Sequence, residues 1–154
     1  MLKQYKTKDQ KGFTIIEVLI VLAIAGLILL IVFLAVPALQ RNSRNTQRKT
    51  DVGRIGSAAT VVSNNQGKTS VLDGTAAGNG LVQDEVGDNL SIYQKSNVTT
   101  HNGALTNSTT IDTVVVVGDA KCSGADAVAQ ARQVAVLYST ENGGGTATPL
   151  CVDQ

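Results

Sequence analysis

The feature that most constrains this chain is an apolar run from Phe13 to Leu39, which reads KGFTIIEVLIVLAIAGLILLIVFLAVPAL from Lys11. A basic leader ends at Lys11-Gly12, and the run that follows is interrupted by one charge, Glu17. An ionised carboxylate in a membrane-spanning helix costs ~2.5–3.5 kcal/mol near the centre and less near an end. A simple anchor would be better served by Val or Leu there. Glu17 therefore reads as functional, with an expected partner that is a cation present only after assembly.

Gly12-Phe13-Thr14-Ile15-Ile16-Glu17 resembles the processing and assembly motif of type IV pilins and the related pseudopilins. The resemblance covers about the first third of the chain. It implies that a prepilin peptidase of the membrane cuts after Gly12 and that the new amino terminus, Phe13, is N-methylated. It assigns Phe13, Thr14 and Glu17 to assembly. The implied fold is α+β, pilin-like, with a long amino-terminal helix, membrane-embedded in its first half, packed on a small antiparallel β-sheet head. The implied function is that of a structural subunit polymerising into an extracellular type IV pilus for adhesion, motility or DNA uptake. The alternative is a pseudopilin of a type II secretion or competence system, which uses the same amino-terminal chemistry. The partners implied are further copies of the subunit, the peptidase, a pilus assembly platform and, before assembly, the cytoplasmic membrane, where the precursor is single-pass.

Other readings of the amino terminus explain less. A secretory signal has an apolar region of about 7–15 residues, whereas Val18 to Ala38 is nearer the ~20 needed to span a bilayer. Val36-Pro37-Ala38 imitates a conventional signal-peptidase site, but that reading gives no reason for Glu17. A plain single-pass anchor has the same weakness.

The 154 residues suit one soluble domain plus an anchor, and the net charge of +1 conceals an asymmetry. Lys3, Lys6, Lys8 and Lys11 precede the apolar run, and Arg41, Arg44, Arg48 and Lys49 follow it. Charge bias therefore does not orient the span; the resemblance does, with the leader cytoplasmic. Beyond Lys49 come five cations, Arg54, Lys68, Lys95, Lys121 and Arg132, against ten acids from Asp51 to Asp153. Direct nucleic-acid binding is not expected, because phosphate neutralisation needs clustered Lys and Arg. Cys122 and Cys151 lack C-x-x-C spacing and fit a structural disulfide in an oxidising compartment better than redox catalysis. The pair also resembles the carboxy-terminal disulfide loop of many pilins.

Four segments are expected: a cleaved leader over 1–12, an apolar transmembrane and assembly helix over 13–39, its amphipathic continuation over 40–66, and a head over 67–154. Val52, Ile55, Ala59 and Val62, with Ala58, recur at helical spacing, and Asn64-Asn65-Gln66-Gly67 is a stop signal. Gly26 and Pro37 interrupt the helix and predict a kink; the resemblance implies partial unwinding between them in the filament. Gly and Pro are also simply commoner in membrane helices than in soluble ones. Lys68 to Asn107 reads as loop with a short strand or two. Thr109–Val117 and Gln133–Thr140 read as strands, with Val134, Val136 and Tyr138 on one side and Ala135, Leu137 and Ser139 on the other. Asn142-Gly143-Gly144-Gly145 turns the chain, and Pro149 places the returning strand at an edge. Asp126 to Arg132 reads equally as a short helix or an extended lead-in.

No enzyme site and no cofactor emerge. His101, the only histidine, sits in a turn-like stretch, and no nucleophile–base pair or phosphate loop is evident. Asp84-Glu85-Val86-Gly87-Asp88 offers Asp84 and Asp88 as calcium candidates, but it lacks the EF-hand pattern and reads more simply as a solvated acidic turn. Asn89, Asn97 and Asn107 each begin an N-x-[ST] triplet, as chance allows in a chain rich in these residues.

Overall fold

A computed structural model of the chain describes residues 12–154. Lys3, Lys6, Lys8, Lys11 and the rest of the expected leader lie outside the described residues, apart from Gly12. The elements are α1 (Ile15–Gln66), α2 (Ala76–Val86), β1 (Val98–Asn102), β2 (Val114–Ser123), β3 (Asp126–Glu141) and β4 (Ala147–Asp153). The contacts divide the chain after Ala38 into two compact units.

In the described part of the first unit every large apolar side chain is exposed, from Phe13, just before α1, at 89% to Val36 at 38%. The helix continues through Gly26 and Pro37 without interruption in the single chain. Pro37 removes only one backbone bond, and the flanking residues are good helix formers.

In the second unit the periodic side chains of α1 do what their spacing predicts. Val52, Ile55, Ala58, Ala59 and Val62 are all buried, and they form one core with Leu72, Val82, Val98, Val114, Val116, Val134, Val136 and Tyr138. Burying a side chain such as Ile55 contributes ~1.5–3 kcal/mol. The helix ends at the expected signal. Gly67 adopts φ 69°, its N–H reaches Asn64 O at 3.1 Å, and Lys68 N–H reaches Ser63 O at 3.0 Å. Those two hydrogen bonds satisfy the carbonyls of Ser63 and Asn64, and glycine takes the left-handed position without strain.

The four strands run in the order β1-β2-β3-β4. β2, β3 and β4 are antiparallel neighbours, whereas β1 pairs parallel with β2. The expected antiparallel sheet is present as β2-β3-β4, and β1 adds one parallel edge that makes the sheet mixed. A parallel neighbour requires a crossover, which residues 103–113 supply. The expected alternation on β3 holds: Val134, Val136 and Tyr138 face α1, and Ala135 and Leu137 belong to a second cluster on the other side.

That second cluster exists because the β2–β3 hairpin doubles back over the sheet. Its ladder is interrupted between Gly118↔Val134 and Ala120↔Ala129, so that Asp119 opposes residues 130–133. Asp119 and Arg132 both take positive φ there, 50° and 63°. Cys122, beside Ala127 in the outer ladder, is disulfide-bonded to Cys151, which pairs with Leu137 in the sheet; their Cα atoms are 5.6 Å apart. Ala127 and Leu137 are ten residues apart on one strand, and a straight strand would hold them ~33 Å apart at ~3.3 Å per residue. Asp126–Arg132 is therefore extended, and it belongs to a strand longer than the Gln133–Thr140 expected. β2 is likewise displaced, beginning at Val114 and running to Ser123, because Thr110 and Thr113 bond to each other in a turn.

Asn107 joins these layers. Its Nδ2 donates to Ala125 O at 3.0 Å and Leu150 O at 2.9 Å, while its Oδ1 accepts from Thr109 N at 3.0 Å and Thr109 Oγ1 at 2.7 Å. The amide nitrogen that a glycan would need is spent inside the fold.

A helix, α2, occupies part of the expected loop. Thr75 caps it, its Oγ1 accepting from Gly78 N at 3.2 Å. Gly78 sits where a Cβ would meet Val71 O and Asp73 Oδ1, so its cost in helix propensity is offset by close packing.

Candidate functional site

Gly12, Phe13, Thr14 and Glu17 lie together at the start of α1. A Cβ built on Gly12 would meet no atom within 4 Å. Packing among the described residues does not demand glycine there. The same holds for Gly26. On a helix without its own-chain cover, a missing side chain permits close approach of another helix.

Thr14 and Glu17 form a reciprocal cap. Thr14 N–H and Oγ1–H both donate to Glu17 Oε2 at 2.8 Å, and Glu17 N–H reaches Thr14 Oγ1 at 3.3 Å. These bonds satisfy donors that the first turn leaves open. The T-x-x-E spacing is a readable capping box, and the sequence reading passed over it. Glu17 Oε1 has no hydrogen-bond partner among the described residues. Phe13, Glu17, Val18, Val21 and Leu22 line a shallow groove of about 300 Å³. One carboxylate thus sits beside apolar surface, with half of its acceptor capacity used.

α1 is long and apolar enough to cross a membrane. No part of its apolar window is buried within the chain, which distinguishes it from a core helix of a soluble fold.

The remaining candidates sit elsewhere. Cys122 and Cys151 are bonded to each other in the second unit, far along the sequence from Glu17. His101 lies on β1, opposite Val117, rather than in a turn. Asp84 is on α2, and Asp88 follows the Gly87 cap with Lys95 Nζ at 3.2 Å. Among the described residues no group of three or more His, Cys, Asp or Glu is placed to hold a metal.

Two polar clusters that sequence reasoning missed fix the second half of α1. Asp51 is fully buried and accepts from the backbone N–H groups of Ser91, Ile92 and Tyr93, the nearest at 2.8 Å. Glu141 accepts from Arg44 and Arg48, and Asn45 exchanges two 2.9 Å bonds with the Glu141 backbone.

The family described as the prokaryotic N-terminal methylation motif matches residues 7–33. No curated protein and no solved structure matches the chain. The match spans Gly12, Phe13, Thr14, Glu17 and Gly26. Those residues, on an apolar helix with no cover of its own, carry the type IV prepilin signature.

Proposed function

We propose that this chain is a structural subunit of a type IV pilus, held in the cytoplasmic membrane as a single-pass precursor. Prepilin peptidase cuts it after Gly12, Phe13 is N-methylated, and an assembly platform polymerises it through residues 13–39 into an extracellular filament. The domain division follows: leader to 12, assembly helix over 13–39, continuation over 40–66 and head over 67–154. The observation that carries this reading is the methylation motif on a helix whose large apolar side chains before residue 40 are all uncovered, with Glu17 the only acid in that apolar stretch. Lipid covers such a helix before assembly, and neighbouring helices cover it afterwards. Glu17 Oε2 is held by Thr14, and Oε1 remains to accept the Phe13 amine of a neighbouring subunit. That pairing neutralises two charges in an apolar setting and sets the axial register between helices. Unwinding between Gly26 and Pro37 belongs to this assembled state.

The test is sheared-fibre yield measured beside the membrane-fraction subunit, with processing checked by intact mass. Wild type should begin at Phe13 with one added methyl group. Gly12→Asp should stay inserted and uncut. Glu17→Val should be inserted and cut yet give few or no fibres, with Glu17→Gln between. Normal fibres from Glu17→Val at normal subunit levels would remove the register role. Long surface fibres dominated by this subunit support a pilus, and short envelope-confined fibres support the pseudopilin alternative.

A further inference from the structure

The head is acidic, and its few cations are unevenly used. Of the five beyond Lys49, Arg54 lies 3.8 Å from Asp51 and Lys95 3.2 Å from Asp88. Lys68, Lys121 and Arg132 have no carboxylate at ion-pair distance among the described residues. Two of these three, Lys68 and Arg132, line one cavity of about 460 Å³ at the carboxy-terminal end of α1. That volume falls within the ~300–1,000 Å³ usual for small-molecule sites.

The wall of this cavity holds both non-glycine residues that adopt positive φ among the described residues, Asp119 and Arg132. Glycine would be relaxed at Arg132, where φ is 63°, yet the chain places a guanidinium there. Strained backbone of this kind persists where the surroundings over-determine it, often at binding sites. Asp119 is the over-determining group. Its carboxylate accepts from Thr69 Oγ1, from Arg132 N at 3.0 Å and from Asn102 Nδ2 at 3.1 Å. The Thr69 bond first, then the Arg132 N–H, hold its carboxyl below the usual range. Asp119 is thus charged and committed to the bend, and the cavity carries one net positive charge.

The rest of the lining is neutral and hydrogen-bonding. Ser63 is only 7% exposed, and its hydroxyl engages no other described residue. Asn64 and Ser70 stand beside it with their side chains likewise available. We propose that this cavity binds a carboxylate-bearing sugar, such as the uronic acid unit of an acidic polysaccharide. Lys68 and Arg132 take the carboxylate, while Ser63, Asn64 and Ser70 take ring hydroxyls. A single net positive charge suits a monoanion better than a phosphate dianion, and the hydroxyl and amide lining suits a polyol. This site does not depend on whether the chain polymerises.

The test uses the full chain, isotope-labelled in neutral detergent micelles, titrated with sodium glucuronate, glucose and sodium phosphate. Glucuronate should shift the amide resonances around Lys68, Ser70 and Arg132 saturably, with a dissociation constant in the ~mM range. Glucose and phosphate should each bind at least about tenfold more weakly, a difference of ~1.4 kcal/mol. Lys68→Ala and Arg132→Gly should each weaken glucuronate binding by about tenfold or more. Arg132→Gly relieves the positive φ, so its fold is retained and its melting temperature should not fall. Three outcomes would overturn the proposal: no saturable shift with glucuronate, phosphate binding as tight as glucuronate, or wild-type binding by Arg132→Gly.

Discussion

Glu141 allows the attachment of α1 to the sheet to be tested quantitatively. Its carboxylate takes Arg44 Nε at 3.0 Å, Arg44 Nη2 at 2.6 Å and Arg48 Nη2 at 2.9 Å. The two cations are not equivalent. The Arg44 side chain is 43% exposed, and exposed pairs contribute ~0–1 kcal/mol. The Arg48 side chain is 4% exposed and that of Glu141 13%. Removing one partner of a buried pair costs ~3–5 kcal/mol, because the other is left uncompensated. In Glu141→Gln an acceptor oxygen survives, and Arg48 keeps Ile111 O at 3.2 Å and Asn45 Oδ1 at 3.3 Å. The expected loss is therefore nearer ~2–3 kcal/mol, or about 10 °C in melting temperature for a domain of this size.

The same cluster fixes a pH dependence. The Arg44 hydrogen bond, followed by those of Arg48, brings the Glu141 carboxyl from its ordinary 4.5 down to about 2. A folded-state pKa below the unfolded one means the stabilisation is whole above pH 4.5 and lost as pH falls towards 2. Wild type should therefore lose stability steeply across that window, while Glu141→Gln, which cannot titrate there, loses less. The gap between them should be widest near neutrality and close towards pH 2. The assay is denaturant unfolding of the full chain in neutral detergent, followed by the near-ultraviolet signal of Tyr93 and Tyr138. A gap that stays constant across the window, or is absent at neutral pH, would refute the reasoning.

Asn107→Ala should destabilise the head by ~1–2 kcal/mol, since it removes the donor shared by the part-buried carbonyls of Ala125 and Leu150; unchanged denaturation midpoints would show that water replaces the amide at no cost. Cys151→Ser should cost ~3–4 kcal/mol by releasing a loop of sequence separation 29 on the chain-entropy model. Because the bridge pins the folded-back hairpin, limited proteolysis of that variant should cut first around residues 120–133, and first cuts elsewhere would count against the pinning role.

Local pattern made part of this fold legible. The second half of α1 declared itself because Val52, Ile55, Ala59 and Val62 repeat at helical spacing, and its end because Asn64-Asn65-Gln66-Gly67 offers a left-handed cap. β3 and β4 were readable from alternation and from Pro149. α2 was not, because Gly78, Asn79 and Gly80 are poor helix formers and the helix depends on Thr75 and on its neighbours. The parallel placement of β1 was equally invisible, since pairing direction is a property of the crossover. Asp119 and Arg132 carry no compositional sign of a bend. Arg48 and Glu141 carry no local sign of their pairing; Arg48 is buried, and Glu141 largely covered, only because each is brought to the other from across the sequence. At the amino terminus the motif was legible from sequence alone, because the basic leader, Gly12-Phe13 and one acid in an apolar run stand together in a short stretch, and the methylation-motif family matches there.

The edges of the sheet bear on how such a chain can associate. An open strand edge is a template for strand addition, and it would compete with any association through α1. β1 is closed by α2: Thr100 N–H donates to Asn79 Oδ1 at 2.6 Å, and Gln83 Nε2 donates to Val98 O at 2.8 Å. This explains why a helix with two central glycines is present at all, since its polar side chains occupy the edge that β1 would otherwise offer. β4 is obstructed differently. Pro149 has no N–H to give, and its neighbours are drawn towards the hairpin by the Cys122–Cys151 bridge and by Cys122 N–H donating to Asp153 Oδ1 at 2.6 Å. The β1 edge is thus engaged by the head's own residues, and the β4 edge is interrupted at Pro149. The surface left without any cover of its own is the apolar first part of α1, where Glu17 keeps one oxygen unpaired. With its sheet edges obstructed in these ways, the head favours association through the uncovered apolar part of α1, as the proposed assembly through Glu17 requires.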